Sequence, residues 1–225
     1  MANRAPKQFV PLGFSFLVTA ACLFGSAGSF DWRNAWLLLA INFAAGLAAL
    51  AVLWRSPDLL AERSNIKPGK SWDKPLVFIV VLLGPSATWI TSGMGVRFHW
   101  SQDFDRGWVA FGAVAAAGAA SWIAWAMHVN RFFSSVVRIQ KERRHTVVSC
   151  GPYSVVRHPG YLGMALFTLL TPLILNSSFA FIPAVLTVAV WVLRTAIEDR
   201  TLRHELDGYQ DYSTRVKYRL VPFLW

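Results

Sequence analysis

GWVAFGAVAAAGAASWIAWAMHV, residues 107–129, reads as a single element. It holds no Asp, Glu, Lys or Arg, and as a helix rising 1.5 Å per residue it is long enough to cross the ~30 Å of hydrocarbon in a bilayer. Its centre is crowded with small residues, from Gly112 and Ala113 through Ala115, Ala116, Ala117, Gly118, Ala119 and Ala120 to Ser121. In lipid, small side chains let a neighbouring helix approach closely, so this face is read as a packing face and not as chemistry. Three runs of similar length precede it, about Phe9 to Gly28, Trp36 to Trp54 and Pro75 to Met94. Two shorter runs follow, Tyr161 to Leu175 and Phe179 to Val192, split by Asn176-Ser177-Ser178. Each of these covers only about 22 Å and is expected to be thin or tilted. The expected fold is an all-α integral membrane protein with about six transmembrane helices. The last two form a short hairpin, and a helical tail from Arg194 onward lies in the cytoplasm.

Composition supports that frame. Of the 225 residues, 55% are hydrophobic and 15% charged, against roughly 25% charged in soluble domains. Mean hydropathy is +0.40. The net charge of +10 is read as topology and headgroup contact. Nucleic acid is excluded as a partner, because the basic residues lie in separated inter-helix loops. Nineteen of the 22 Lys and Arg fall in the N-terminal leader (Arg4, Lys7), the two loops 55–74 and 130–159, and the tail. Arg33, Arg97 and Arg106 are on the other side. Positive-inside then predicts cytoplasmic termini. The leader resembles a signal peptide but runs into a segment long enough to be an uncleaved first span. Trp32, Trp36, Trp54, Trp100 and Trp108 fall near span ends, as an aromatic belt requires. Asn42 is a lone polar residue in the second span, expected to bond a neighbouring helix. Cys22 and Cys150 form no disulfide framework. No charge lies near the middle of a span, which argues against an ion-coupled pump. Chemistry is expected at the inner face, where the ionisable residues gather.

One such gathering is Gly151-Pro152-Tyr153-Ser154-Val155-Val156-Arg157-His158-Pro159-Gly160-Tyr161-Leu162-Gly163. Gly-Pro and Pro-Gly break regular structure at both ends. Between them stand a permanent cation and an imidazole, flanked by the phenols Tyr153 and Tyr161. The group suits a small polar ligand carrying an anion. The plainer reading is a loop capping a membrane helix, with Arg157 facing headgroups. A second gathering is Arg194 and Glu198, four apart on one helix face. It is either a surface ion pair or, at the lipid boundary, a ligand contact. The turn at Asn176 folds these two clusters together, so Arg157, His158, Arg194 and Glu198 are expected to meet. A third piece is Gln140 to Val148, in which the β-branched Thr146-Val147-Val148 is expected to be extended.

Taken together, the motifs His145-Thr-Val-Val, Gly151-Pro-Tyr, Arg157-His-Pro-x-Tyr-x-Gly, Arg194-x-x-x-Glu198-Asp199 and Tyr209-x-x-Tyr212, with the segment from Val216 to Pro222, resemble the isoprenylcysteine carboxyl methyltransferase family. The resemblance covers about Gln140 to Trp225. It implies an integral membrane enzyme that uses S-adenosylmethionine and needs no metal. It implies a cofactor site of Gln140, His145, Thr146, Val147, Val148, Tyr153, His158, Pro159, Gly160, Tyr161 and Glu198. Arg194 would hold the acceptor, and Arg194 and Glu198 would be the catalytic pair. The chain is then one domain, with four spans in 1–129 and the cofactor-binding and catalytic half in 130–225. The expected acceptor is lipophilic and carries a carboxylate, such as a prenylated cysteine. Alternatives are a small thiol, a phospholipid amine, or a non-catalytic membrane protein or transporter that keeps the fold. The expected location is the inner or plasma membrane of a prokaryote. Two departures stand out: Asp199 where a second Glu is usual, and Leu206-Asp207-Gly208-Tyr209 in place of Phe-Gly-Glu-Glu-Tyr. Neither falls inside the core motif.

Overall fold

The computed structural model describes residues 5–64, 68–100 and 104–225, with side chains in the first helix from residue 12. Arg4, the Lys7 side chain and Lys67, which enter the charge count, lie outside these. Among the described residues there is no strand. The helices are α1 (Ala5–Ala27), α2 (Arg33–Arg55), the short α3 (Pro57–Ser64), α4 (Asp73–Phe78), α5 (Gly84–Phe98), α6 (Arg106–Val129), α7 (Pro159–Ile174), α8 (Phe181–Glu205) and α9 (Tyr209–Arg215). A π-helical segment, Ile79–Leu83, joins α4 to α5 without a break in the rod. Four rods are long and apolar enough to cross a bilayer: α2, α4–α5, α6 and α8. The apolar parts of α1 and α7, Leu12–Ala27 and Pro159–Ile174, are shorter.

Local chemistry sets these boundaries. Asp105 caps α6, its carboxylate accepting from the backbone N–H of Gly107 at 2.7 Å and of Trp108 at 3.2 Å. Pro159 opens α7 at a position where its missing N–H costs nothing. Hydroxyls inside the rods bond back to the preceding turn, as Thr88 does to Gly84 and Ser92 to Thr88. In an apolar surround they have few other partners.

The small residues of α6 pack as expected. A Cβ on Gly112 would sit 2.9 Å from that of Leu173, and one on Gly163 of α7 would sit 3.1 Å from the Ala119 carbonyl oxygen. The α6–α7 seam therefore closes almost to backbone contact, which steers the chain entering α7 past the end of α6. One apolar core joins Leu23, Phe24 and Trp32 to Leu38, Leu39, Ile174 and Leu175. Outward faces such as Phe14, Phe78, Val114 and Leu186 remain exposed and apolar, as lipid-facing surfaces should be.

Three expectations need correction. The last two helices are not a pair of short spans: α7 has 16 residues, but α8 runs unbroken for 25, through Arg194 and Asp199. It continues because each of those charges finds an opposite charge in the fold. Trp32 is no belt residue but sits in the core at 7% exposure, whereas Trp36, Trp54, Trp100 and Trp108 are exposed. Asn42 does not bond a neighbouring helix; its Nδ2 is buried without a partner among the described residues.

Candidate functional site

The connection from α6 to α7 is a long loop wrapped beneath the rods. Its course is set by polar anchors. Asp73, the first residue of α4, accepts from the Val137 N–H at 2.7 Å. Glu62 of α3 accepts from Arg138 at 2.6 to 2.9 Å. Tyr212 of α9 donates to the Tyr153 carbonyl at 2.7 Å, and Asn130 Nδ2 donates to the Tyr153 hydroxyl at 2.9 Å. The tail then crosses the mouth of α7: the N–H groups of Arg157 and His158 donate to the carbonyls of Tyr218 and Arg219 at 2.9 and 3.0 Å. Loop, α3, α4, α7, α8 and α9 enclose a cavity of about 280 Å³, near the lower end of the roughly 300–1,000 Å³ of small-molecule sites.

Nearly all the residues singled out from sequence meet there. His145, Thr146, Val147, Val148, Tyr153, His158, Gly160, Tyr161, Arg194 and Glu198 all line the cavity, together with Arg157. Residues 145–149 have no regular structure, and Val147 packs against Leu206, Tyr209 and Tyr212. Gly160 faces the Phe133 ring so closely that a Cβ would lie 2.6 Å from it. Two expected members are absent from the lining. Gln140 is 1% exposed, its amide donating to the Phe132 carbonyl at 2.9 Å and accepting from Arg143 at 2.5 Å. It shapes the loop instead of facing a ligand. Pro159 turns away, its carbonyl accepting from Trp122 Nε1 at 2.9 Å.

The charged residues are partnered differently from the sequence expectation. Arg194 does not pair with Glu198. Its Nε and Nη2 donate to the Asp73 carboxylate at 2.7 and 3.1 Å, and Nη2 also reaches the Ser135 carbonyl at 3.2 Å. Its guanidinium lies over the Tyr161 ring, 4.9 Å from the centroid. Among the described residues only its Nη1 edge is left without a hydrogen bond. Glu198 instead accepts from the Tyr161 hydroxyl. Arg157 is no anion receptor: it is 4% exposed, holding Asp199 at 2.7 Å and the carbonyls of Val216 and Lys217 at 2.8 Å. Asp199, which sequence placed outside the core motif, is its centre. It also accepts from Tyr209 at 3.0 Å, Arg219 at 3.0 Å and Arg203 at 3.1 Å, and lies 3.4 Å from His158 Nε2.

The loop side is tuned by burial. His145 is pushed down to about 4 by desolvation, with Arg143, Arg138 and Arg131 adding repulsion. Its Nδ1 accepts from the Gln140 N–H at 3.3 Å, so the imidazole is neutral with its proton on Nε2. Burial raises the phenols of Tyr153, Tyr209 and Tyr212. They act as neutral hydroxyls. Sequence reasoning missed Asp73, Asn130, Phe132 and Phe133. The one available signal was Asp73 itself, an acid at the mouth of an apolar run, where a buried partner is needed.

No curated protein matches the chain. Residues 110–204, which run from α6 to the last turn of α8 and carry most of the cavity lining, match the isoprenylcysteine carboxyl methyltransferase (ICMT) family, a family of methyltransferases.

Proposed function

We propose that this integral membrane protein transfers a methyl group from S-adenosylmethionine to a lipophilic acceptor at the cytoplasmic face. The leading acceptor class is a carboxylate, such as that of a prenylated cysteine. The observation that carries this reading is the convergence of 145–148, Tyr153, His158, Gly160, Tyr161, Arg194 and Glu198 in one cavity. The chemistry of the lining also fits the cofactor. Glu198 has no cation at hydrogen-bond distance among the described residues, and Trp191 presents a buried Nε1 without a partner. A ligand with a cationic centre and a hydrogen-bonding ring would satisfy both. S-adenosylmethionine, when bound, supplies a methyl group already activated on a sulfonium.

The protein's own work is then alignment, which contributes up to roughly 7–11 kcal/mol in well-oriented reactions. His158, stacked on the Tyr161 ring at 5.8 Å, is fixed by Asp199 and Tyr209 and forms a rigid wall. Tyr161 orients the Glu198 carboxylate. Arg194, held from behind by Asp73, offers its Nη1 edge to the acceptor. The proposed layout is a single domain with six crossings and both termini in the cytoplasm, the acceptor entering from the bilayer. A reporter fused after Trp225 should be cytoplasmic; found outside, it overturns that layout.

One observation favours a second reading. The Nε and Nη2 edge of Arg194 is already taken by a carboxylate of the protein. The two-pronged grip expected for a carboxylate acceptor is therefore reduced to one nitrogen. That leaves room for a small thiol or a phospholipid amine as acceptor, with Glu198 nearby to receive a proton. Labelled-methyl transfer to prenyl-cysteine, thiol and phospholipid-amine acceptors separates the two. Transfer to the carboxylate alone supports the first reading. Transfer to the thiol or amine alone supports the second. No cofactor binding by folded protein in calorimetry favours a non-catalytic membrane protein.

A further inference from the structure

The guanidiniums lining the cavity are not equivalent. Arg138 is held by Glu62 and Glu142, Arg157 by Asp199 and Arg194 by Asp73, each at 2.6 to 2.8 Å. Arg63, in the last turn of α3, also lines the cavity. Among the described residues it meets no carboxylate. Its Nη1 donates to the thioether sulfur of Met127 at 3.0 Å, and its guanidinium faces the Phe133 ring, 5.6 Å from the centroid. Glu62 beside it is committed to Arg138. A thioether is a weak acceptor, so among the described residues most of the Arg63 donors have no protein partner. Burial lowers its pKa with no anion to offset the effect. An unpaired guanidinium in a cavity of largely apolar lining is costly unless a ligand completes it. Arg63 also lies outside the matched residues 110–204.

We propose that Arg63 is the anion-binding residue of this cavity and holds a carboxylate of the bound ligand. Resting on the methyl-transfer reading above, that carboxylate has two possible sources: the amino-acid end of the cofactor or the acceptor. With Glu198 as the unmatched anion and Arg63 as the unmatched cation, the lining is complementary to ligands that carry both signs. Arg63 also ties the short α3 to the site, so a ligand carboxylate would draw α3 against the end of α6.

The test uses the full chain in detergent, with Arg63→Gln and, as a charge-preserving control, Arg63→Lys. Calorimetry compares S-adenosylhomocysteine with 5′-methylthioadenosine, which lacks the amino-acid end. If Arg63 holds the cofactor carboxylate, Arg63→Gln weakens S-adenosylhomocysteine by about tenfold to a hundredfold, the range for a hydrogen bond to a charged group. Binding of 5′-methylthioadenosine stays unchanged, and Arg63→Lys recovers part of the loss. If the carboxylate belongs to the acceptor, both nucleosides bind as in wild type and KM for a carboxylate acceptor rises by a similar factor. Wild-type cofactor affinity and acceptor KM in Arg63→Gln overturn the proposal while leaving the methyl-transfer reading intact. A ligand-free readout stands apart from the cofactor. Arg63→Met should raise the thermal midpoint, because it removes an uncompensated charge. A lower midpoint means the charge is already matched, and overturns the proposal even if the wild type binds no cofactor.

Discussion

Two buried arginine–aspartate centres flank the cavity, and they are built to different specifications. Asp199 receives Arg157, Arg203, Arg219 and Tyr209, with His158 close by. Asp73 receives one guanidinium and one backbone N–H. The first centre joins α8, α9, the mouth of α7 and the tail; the carboxylate is saturated, and every nitrogen of the Arg157 guanidinium is engaged. The second joins α4, α8 and the loop but leaves one edge of Arg194 open. The same pair of side chains makes a clamp in one place and a handle in the other. What separates them is the number of donors each carboxylate collects. A saturated pair can only hold the fold together, whereas an unsaturated one can hold a ligand.

The comparison breaks most visibly at the clamp. Asp199→Asn leaves several cations facing a neutral amide. Removing one partner of a buried pair costs about 3–5 kcal/mol, and this carboxylate serves more than one. The expected outcome is a large fall in thermal midpoint, with the tail beyond Glu205 released to limited proteolysis. A midpoint within a degree or two of wild type would mean that the arginines find other partners and that the clamp is not structural.

At the handle the effect should fall on rate. Arg194→Lys keeps the charge but cannot both hold Asp73 through two nitrogens and present a third. Methyl transfer to a carboxylate acceptor should drop by roughly 2–4 kcal/mol of transition-state stabilisation, as when one oriented donor is lost. Cofactor affinity should hardly move. Asp73→Asn should lower the rate in the same direction, since the fork loses its anchor. Near-normal initial rates in Arg194→Lys would remove the acceptor role of Arg194 and strengthen the thiol or amine reading.

Glu198→Gln is next in size. Among the described residues the carboxylate has only the Tyr161 hydroxyl as partner, so it is expected to meet a cationic part of the ligand. Cofactor affinity should weaken by about 1.5–3 kcal/mol, the range for a hydrogen bond to a charged group. The thermal midpoint of ligand-free protein should change little, in contrast with Asp199→Asn one residue along. Equal loss of stability in both variants would erase the distinction between clamp and handle.

What was legible in advance follows from range. Spans can be read because apolar length is a local property, and the motif at 145–161 because its breakers and polar residues are close in sequence. The close packing of α6 was visible in its run of Gly and Ala. Arg194 and Glu198 were found, but their pairing was not. Helix spacing suggested each other, while the actual partner of Arg194 lies 121 positions away. Asp199 was underweighted for the same reason, because four of its partners come from loop, tail and α9. Arg63 looked like one more loop cation. Only the fold shows that Glu62 beside it is engaged by Arg138.

The smallest effect concerns a third arrangement of arginines around one group. His145 is surrounded by Arg131, Arg138 and Arg143, as Asp199 is by Arg157, Arg203 and Arg219, but His145 is not an anion. Burial, with the three cations adding to it, keeps this imidazole neutral. Its pKa in the fold is lowered to about 4 from 6.5, so between those values the unfolded chain binds the extra proton and the folded chain does not. By linkage, stability then rises with pH across that window. The contribution is complete above about pH 6.5 and is lost as the pH falls toward 4. His145 is partly exposed, so screening reduces the contribution, and about 1 kcal/mol or less is expected. Thermal midpoints of wild type and His145→Gln, measured from pH 7.5 to 4.5, isolate it. The wild-type curve should fall more steeply than that of the variant, and the difference should open only below about pH 6.5. Parallel curves would mean that the imidazole takes up its proton in place, and that the arginines around it, unlike those around Asp199, are turned toward their own carboxylates and not toward the ring.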